Sequence, residues 1–172
     1  MKNLYNRILL MLILVLFAFT AKAEEIKNIS EHEYNFYTGN FDFSDHKQKA
    51  ILVGFQHQNE NLNRDTFLGN ASPITGGFIT ENSAAYIYTG VEWNYAISDK
   101  LKFTPSFTPG LYHEGDGKDL GHALEFKTEV QLSYSISEST SLGLSYNHIS
   151  NASLGDKNPG ANSYMFNLLK NF

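Results

Sequence analysis

The chain has no cysteine among its 172 residues, only 4 prolines and a single tryptophan, and its 13 basic side chains are outnumbered by 18 acidic ones. Each shortage excludes something. Without cysteine no disulfide can staple the fold, so packing and hydrogen bonds must hold it together. Lipoprotein anchoring through an N-terminal cysteine is excluded on the same ground. The acidic balance makes nucleic acid a poor partner, because phosphate backbones reward basic surface. The apolar run Ile8 to Phe19 is also short. A membrane-spanning helix needs about 20 apolar residues, and this run has about a dozen.

That run carries a different message. Lys2 and Arg7 form a basic lead-in, and Ala21-Lys22-Ala23 follows the run with the small-x-small form of a signal-peptidase site. Residues 1–23 are therefore expected to be a cleaved secretory signal, with residues 24–172 forming one domain. Removing Lys2, Arg7 and Lys22 leaves 10 basic residues against 18 acidic ones, a net charge of −8.

What is plentiful points to β-structure. There are 13 Phe and 10 Tyr, and Gly, Asn and Ser punctuate the chain. No Pro- or Gly-rich linker divides it. Alternation with period two predicts eight strands, roughly 33–43, 49–58, 72–80, 84–97, 101–113, 122–137, 141–150 and 162–172. Over 122–137, Leu124, Phe126, Val130, Leu132, Tyr134 and Ile136 share one face. Glu125, Lys127, Glu129, Gln131, Ser133 and Ser135 share the other. Pro105 and Pro109 fall inside one predicted strand, where a bulge or a bend is expected.

Such alternation suits either a soluble sandwich with a buried apolar face or a transmembrane barrel with its apolar face toward lipid. Three features favour the barrel. Several strands exceed ten residues, enough to cross a bilayer at a tilt. The strand count is even, and an eight-stranded barrel has an interior that side chains fill, which ion pairs such as Lys127 with Glu129 would help build. The last strand carries Tyr164, Phe166, Leu168 and Phe172 on one face and ends on an aromatic residue, like the insertion signal of outer-membrane barrels. The expectation is an all-β, eight-stranded antiparallel transmembrane barrel of the Gram-negative outer membrane.

With both termini in the periplasm, odd strands run outward and even strands return. His148 and Ser150 then lie at the outer end of the seventh strand, joined to the eighth by the loop 151–161. Their parity is that of Leu142, Leu144 and Tyr146, the lipid-facing side, and Asn162 shares the parity of Tyr164 and Phe166. Polar groups facing hydrocarbon are costly unless paired, so this cluster reads as functional, with a membrane lipid as the substrate within reach. His148 is placed to take the proton from Ser150 Oγ and make it a nucleophile for an ester carbonyl. The Asn158-Pro159-Gly160 turn is placed to aim backbone N–H groups or the Asn158 amide at a developing oxyanion. Asn151 lies beside it in the same loop. His113-Glu114-Gly115-Asp116 has no second ligand cluster and reads as solvated loop, so no metal or cofactor is implied.

The segment HISNASLGDKNPGANS, residues 148–163, resembles the PagL-type lipid A 3-O-deacylases, and the likeness continues upstream through FTPSFTPGLYHEGDGKDLGHALEF, residues 103–126. The resemblance implies an outer-membrane barrel that uses a Ser-His-Glu triad to hydrolyse the ester-linked acyl chain at the 3-position of lipid A. Carried over, His148 is the base, Ser150 the nucleophile, and Asn158 an oxyanion-hole residue. The family's acid falls where this chain has Asn162, which can orient the imidazole but supplies no negative charge. Glu125 and Glu129 point by parity into the lumen. Two other readings stay open: a non-catalytic barrel serving envelope structure or lipid binding, and a surface-recognition barrel.

Overall fold

The computed structural model describes residues 32–45 and 49–172; the expected signal segment lies outside them. The chain forms a closed antiparallel barrel of eight wall strands. These are β1 (His32–Phe41), β2 (Ala50–Asn59), β4 (Gly69–Thr80), β5 (Ala85–Trp93), β7 (Leu101–His113), β8 (Leu124–Ser137), β9 (Thr140–Ser150) and β10 (Ala161–Asn171). The short β3 (Arg64–Thr66) extends the hairpin into β4, and β6 (Tyr95–Ala96) continues the line of β5. Neighbouring strands follow chain order, and closure comes from pairing β1 with β10 and β2 with β4. Every wall edge is therefore paired, which hydrocarbon demands of a spanning sheet.

The alternation expected from the sequence is the alternation observed. Leu132, Leu142, Leu144, Phe166 and Leu168 are exposed on the outer wall, whereas Lys127, Gln131, Ser145, Asn147 and Asn167 are buried in the lumen. Wall strands of nine to fourteen residues are long enough to cross a bilayer. Toward the end that holds His32 and Asn171 the lumen is polar and cross-linked. Lys102 pairs with Glu33 at 3.1 Å, and the Asn35 amide donates to both Gln131 and Asn167. Lys127 pairs with Glu129 at 2.7 Å and lies over the Tyr88 ring. Toward the opposite end the filling turns apolar. Phe41, Phe78, Tyr86, Tyr112, Leu120, Ile149 and Met165 pack together there. This cluster takes in Ile149 of β9 and Met165 of β10, the strands that carry the candidate site. Gly54 is required where the Tyr37 ring crosses the lumen, because a Cβ there would lie 2.2 Å from the ring.

Sequence expectation and structure part company in small ways. The two prolines do not bulge their strand. β7 pairs with β8 without a shift, through Pro105–Val130 and Pro109–Phe126. On its other side the ladder with β5 runs Tyr88–Gly110, then resumes at Val91–Phe107 in the same register. The missing rungs are those of Thr108 and Pro109, and the Pro109 nitrogen has no hydrogen to donate. The irregularity in β8 sits instead at Ser135–Ser137, beside the tight turn into β9.

Candidate functional site

β9 and β10 place the predicted residues by register. His148 stands directly opposite Asn162, and Tyr146 opposite Tyr164, one step deeper on the same wall. Ser150 lies at the end of β9, opposite Phe126 of β8. At about 3.3 Å of rise per residue, His148 and Ser150 sit some 7 Å apart along one face, within reach through their side chains.

The imidazole is held from two sides. His148 Nδ1 is 2.9 Å from Asn162 Oδ1, and an amide oxygen only accepts, so Nδ1 carries the hydrogen and Nε2 keeps its lone pair. Gly160, in the left-handed region at φ 62°, fits against the other edge of the ring. A Cβ on Gly160 would meet His148 Cε1 at 2.9 Å. Among the described residues no hydrogen bond joins Ser150 Oγ to His148. Catalytic hydrogen bonds of this kind are commonly long before substrate is bound.

The loop after Ser150 is tightly organised. Ala152 and Ser153 both have positive φ, 53° and 67°. Strain of this sort costs on the order of 1–3 kcal/mol per residue and persists only where surroundings impose it. Asn151 imposes it here. Its side-chain oxygen accepts from the Ser153 N–H at 2.9 Å, and its amide nitrogen donates to Leu120 O at 2.8 Å and Lys157 O at 2.9 Å. Its backbone N–H donates to Asn158 Oδ1 at 3.1 Å. With its oxygen so occupied, Asn158 presents Nδ2 as the donor end of its amide. A Lys157–Asp119 ion pair ties the same loop to residues 114–123. Asp119 sits on the solvent side, its carboxyl held below the ordinary 3.8 first by Lys157 and then by the Gly121 N–H.

The structure thus brings His148, Asn162 and Gly160 into contact, and joins Asn151 to Asn158 just beyond Ser150. Glu125 and Glu129 are turned into the lumen, as parity required. Three participants escaped the sequence reading. Tyr146, taken as one more wall residue, donates its hydroxyl to Asn162 Oδ1 at 2.7 Å. Ser44 and Asp42, from the turn after β1, reach Asn162 from the opposite flank. Tyr146 was within reach of pattern reasoning, being two residues before His148 on the same face. Ser44 and Asp42 gave no signal. Below the site, Val130, Leu132, Leu144, Tyr146, Tyr164 and Phe166 border a bilayer-facing groove of about 460 Å³.

Fold and site together define a class: a small outer-membrane β-barrel with a polar cluster on its lipid-facing wall near the outer rim. The lipid A 3-O-deacylase (PagL) family pattern matches residues 49–171, and the chain belongs to that family. The barrel is similar to the crystal structure of the outer membrane enzyme PagL, at TM-score 0.63 and 17% identity, covering 81% of this chain and 99% of that one. Neisserial surface protein A (NspA) is similar at TM-score 0.55 and 10% identity, covering 82% and 96%. A de novo designed transmembrane β-barrel is similar at TM-score 0.55 and 10% identity, covering 81% and 95%. No curated protein sequence matches the chain significantly.

Proposed function

We propose that this barrel hydrolyses the ester-linked acyl chain at the 3-position of lipid A, with Ser150 as nucleophile and His148 as general base. The observation that carries this reading is the 2.9 Å contact between His148 Nδ1 and Asn162 on the bilayer-facing wall of a member of this family. With Nδ1 engaged, Nε2 is free to take the Ser150 proton. The alkoxide adds to the ester carbonyl. Asn158 Nδ2 and the backbone N–H groups of the 158–160 turn are the donors assigned to the oxyanion that forms. Collapse breaks the ester C–O bond, and His148 returns its proton to the departing sugar oxygen. Water, deprotonated by His148, then adds to the acyl carbonyl; collapse breaks the bond to Ser150 Oγ, His148 returns the proton to Oγ, and the free fatty acid departs. The groove below Tyr146 and Tyr164 is where an acyl chain still embedded in the leaflet would lie.

Mass spectrometry of lipid A from outer-membrane cells expressing the wild type and Ser150→Ala tests this. Loss of one 3-linked acyl chain is expected with the wild type only. Intact lipid A in both, with the barrel folded and a matching lipid A present, sinks the hydrolase and favours a lipid-binding barrel. Asn162 is the observation on the side of that second reading, because it brings no charge to the imidazolium.

A further inference from the structure

An amide is an ambiguous partner for histidine. Presented oxygen first, it holds the hydrogen on Nδ1 and leaves Nε2 basic. Turned over, it offers a donor to Nδ1, moves the hydrogen to Nε2 and disables the base. Replacing a triad Asp by Asn in a serine protease costs about 10⁴ in kcat through this wrong tautomer. Something in this barrel must decide which way Asn162 faces.

The segment after β1 contains it. Phe43 N–H donates to Asn162 O at 3.0 Å, extending the β1–β10 ladder by one bond. The Asn162 N–H approaches Asp42 Oδ1 at 3.4 Å, and Asn162 Nδ2 approaches Ser44 Oγ at 3.4 Å. Ser44 Oγ in turn reaches Asp42 Oδ1 at 3.4 Å. Asp42 is 1% exposed, sits at φ 49°, and is ion-paired with Lys118 through its other oxygen. Asp is among the few residues that tolerate this backbone region.

We propose that Asp42 and Ser44 are positioning residues that set the polarity of the site through a directed hydrogen-bond chain, Asp42–Ser44–Asn162–His148. An ionised carboxylate only accepts, so the Ser44 hydroxyl spends its hydrogen on Asp42. Ser44 Oγ then has only lone pairs left for Asn162, which must present Nδ2 to it. Oδ1 is thereby turned toward His148 and Tyr146, whose hydroxyl donates to it. The chain supplies direction rather than charge, since the Asp42 carboxylate is engaged by Lys118, which also lies 3.7 Å from Asp45. A remote carboxylate, about 120 residues away in sequence, does the orienting half of the missing acid's work.

The test has a readout that does not need turnover. Imidazole ¹⁵N shifts of His148, measured on the full-length mature barrel in detergent micelles, report the tautomer directly. The wild type is expected to show the Nδ1–H form. Ser44→Ala, and separately Asp42→Asn, should bring in the Nε2–H form at a comparable population. In an Asn162→Asp background both oxygens accept, so adding Ser44→Ala should leave the Nδ1–H form in place. A wild type in the Nε2–H form overturns the proposal, as does a tautomer indifferent to both variants. The rate readout rests on the deacylase reading: Ser44→Ala should lower kcat about tenfold with KM unaltered. If the tautomer responds and no variant deacylates lipid A, the chain stands and the hydrolase reading falls.

Discussion

Asn162→Asp is the most informative single change at the site. The two side chains have the same shape, so an oxygen stays where Asn162 Oδ1 already lies, 2.9 Å from His148 Nδ1. Glu is one methylene longer, so its carboxylate would not fall at the same point without a change of side-chain conformation. What Asp adds is charge, felt only when His148 becomes an imidazolium. At about 4 Å that attraction is about 1 kcal/mol in water and about 4 kcal/mol at an effective dielectric of 20. The site sits at the wet outer rim, and the new carboxylate faces Asp42 across Ser44, so the lower half of that range applies. Each 1.4 kcal/mol or so is a factor of ten, so about 1–2.5 kcal/mol gives a rise in kcat of about 5- to 60-fold with KM unchanged. Purified barrel in mixed micelles with lipid A, followed by mass spectrometry over time, measures it. An unchanged or lower kcat in Asn162→Asp, in a preparation whose activity Ser150→Ala abolishes, would refute the claim that charge is what the native site lacks.

Three further changes probe the supports. Gly160→Ala puts a Cβ 2.9 Å from His148 Cε1 at φ 62°, so a folded barrel with kcat lowered about 10- to 100-fold is expected, the scale of a misplaced catalytic group; full activity would show that the imidazole is not braced there. Lys127→Met takes the ion-pair partner from the half-buried Glu129, leaving it the 3.5 Å contact from the Asn147 amide, and should cost about 3 kcal/mol in urea unfolding from lipid vesicles, whereas a paired Lys127→Met/Glu129→Gln change should cost clearly less. For the Lys157–Asp119 clip the sign follows from a depressed carboxyl: its contribution is present above the ordinary value of 3.8 and is lost as pH falls through the lower value in the folded protein. Hydrogen exchange in residues 114–123 should therefore stay flat through neutral and mildly acidic pH and rise only in strong acid; a rise near neutrality would assign the loop's order to another group.

The fold was legible because a barrel wall is the most redundant of patterns. Each strand repeats one rule, lipid side against lumen side, and an error in any single residue leaves the period intact. Leu124 to Ile136 and Leu142 to Tyr146 announced their faces, and burial follows them. The prolines misled because local chemistry was read without its neighbours. Pro109 removes rungs toward β5 while β8 stays paired, and only the two-sided ladder shows that no register shift is needed.

The placement of the candidate residues was legible for a narrower reason. His148, Ser150 and the 158–160 turn lie on consecutive elements, so spacing alone brought them together. Asn162 looked like a simple defect when read by the same local logic, since an amide stands where a carboxylate is expected. Its orientation, however, depends on barrel closure. Only the pairing of the first strand with the last brings Asp42 and Ser44 to its flank, and neither residue carries a motif that spacing could reveal. A site on the closing seam of a barrel therefore has partners at both ends of the chain. Judging it from one end will undercount what holds it, and a substitution there cannot be called a loss until the other end has been placed.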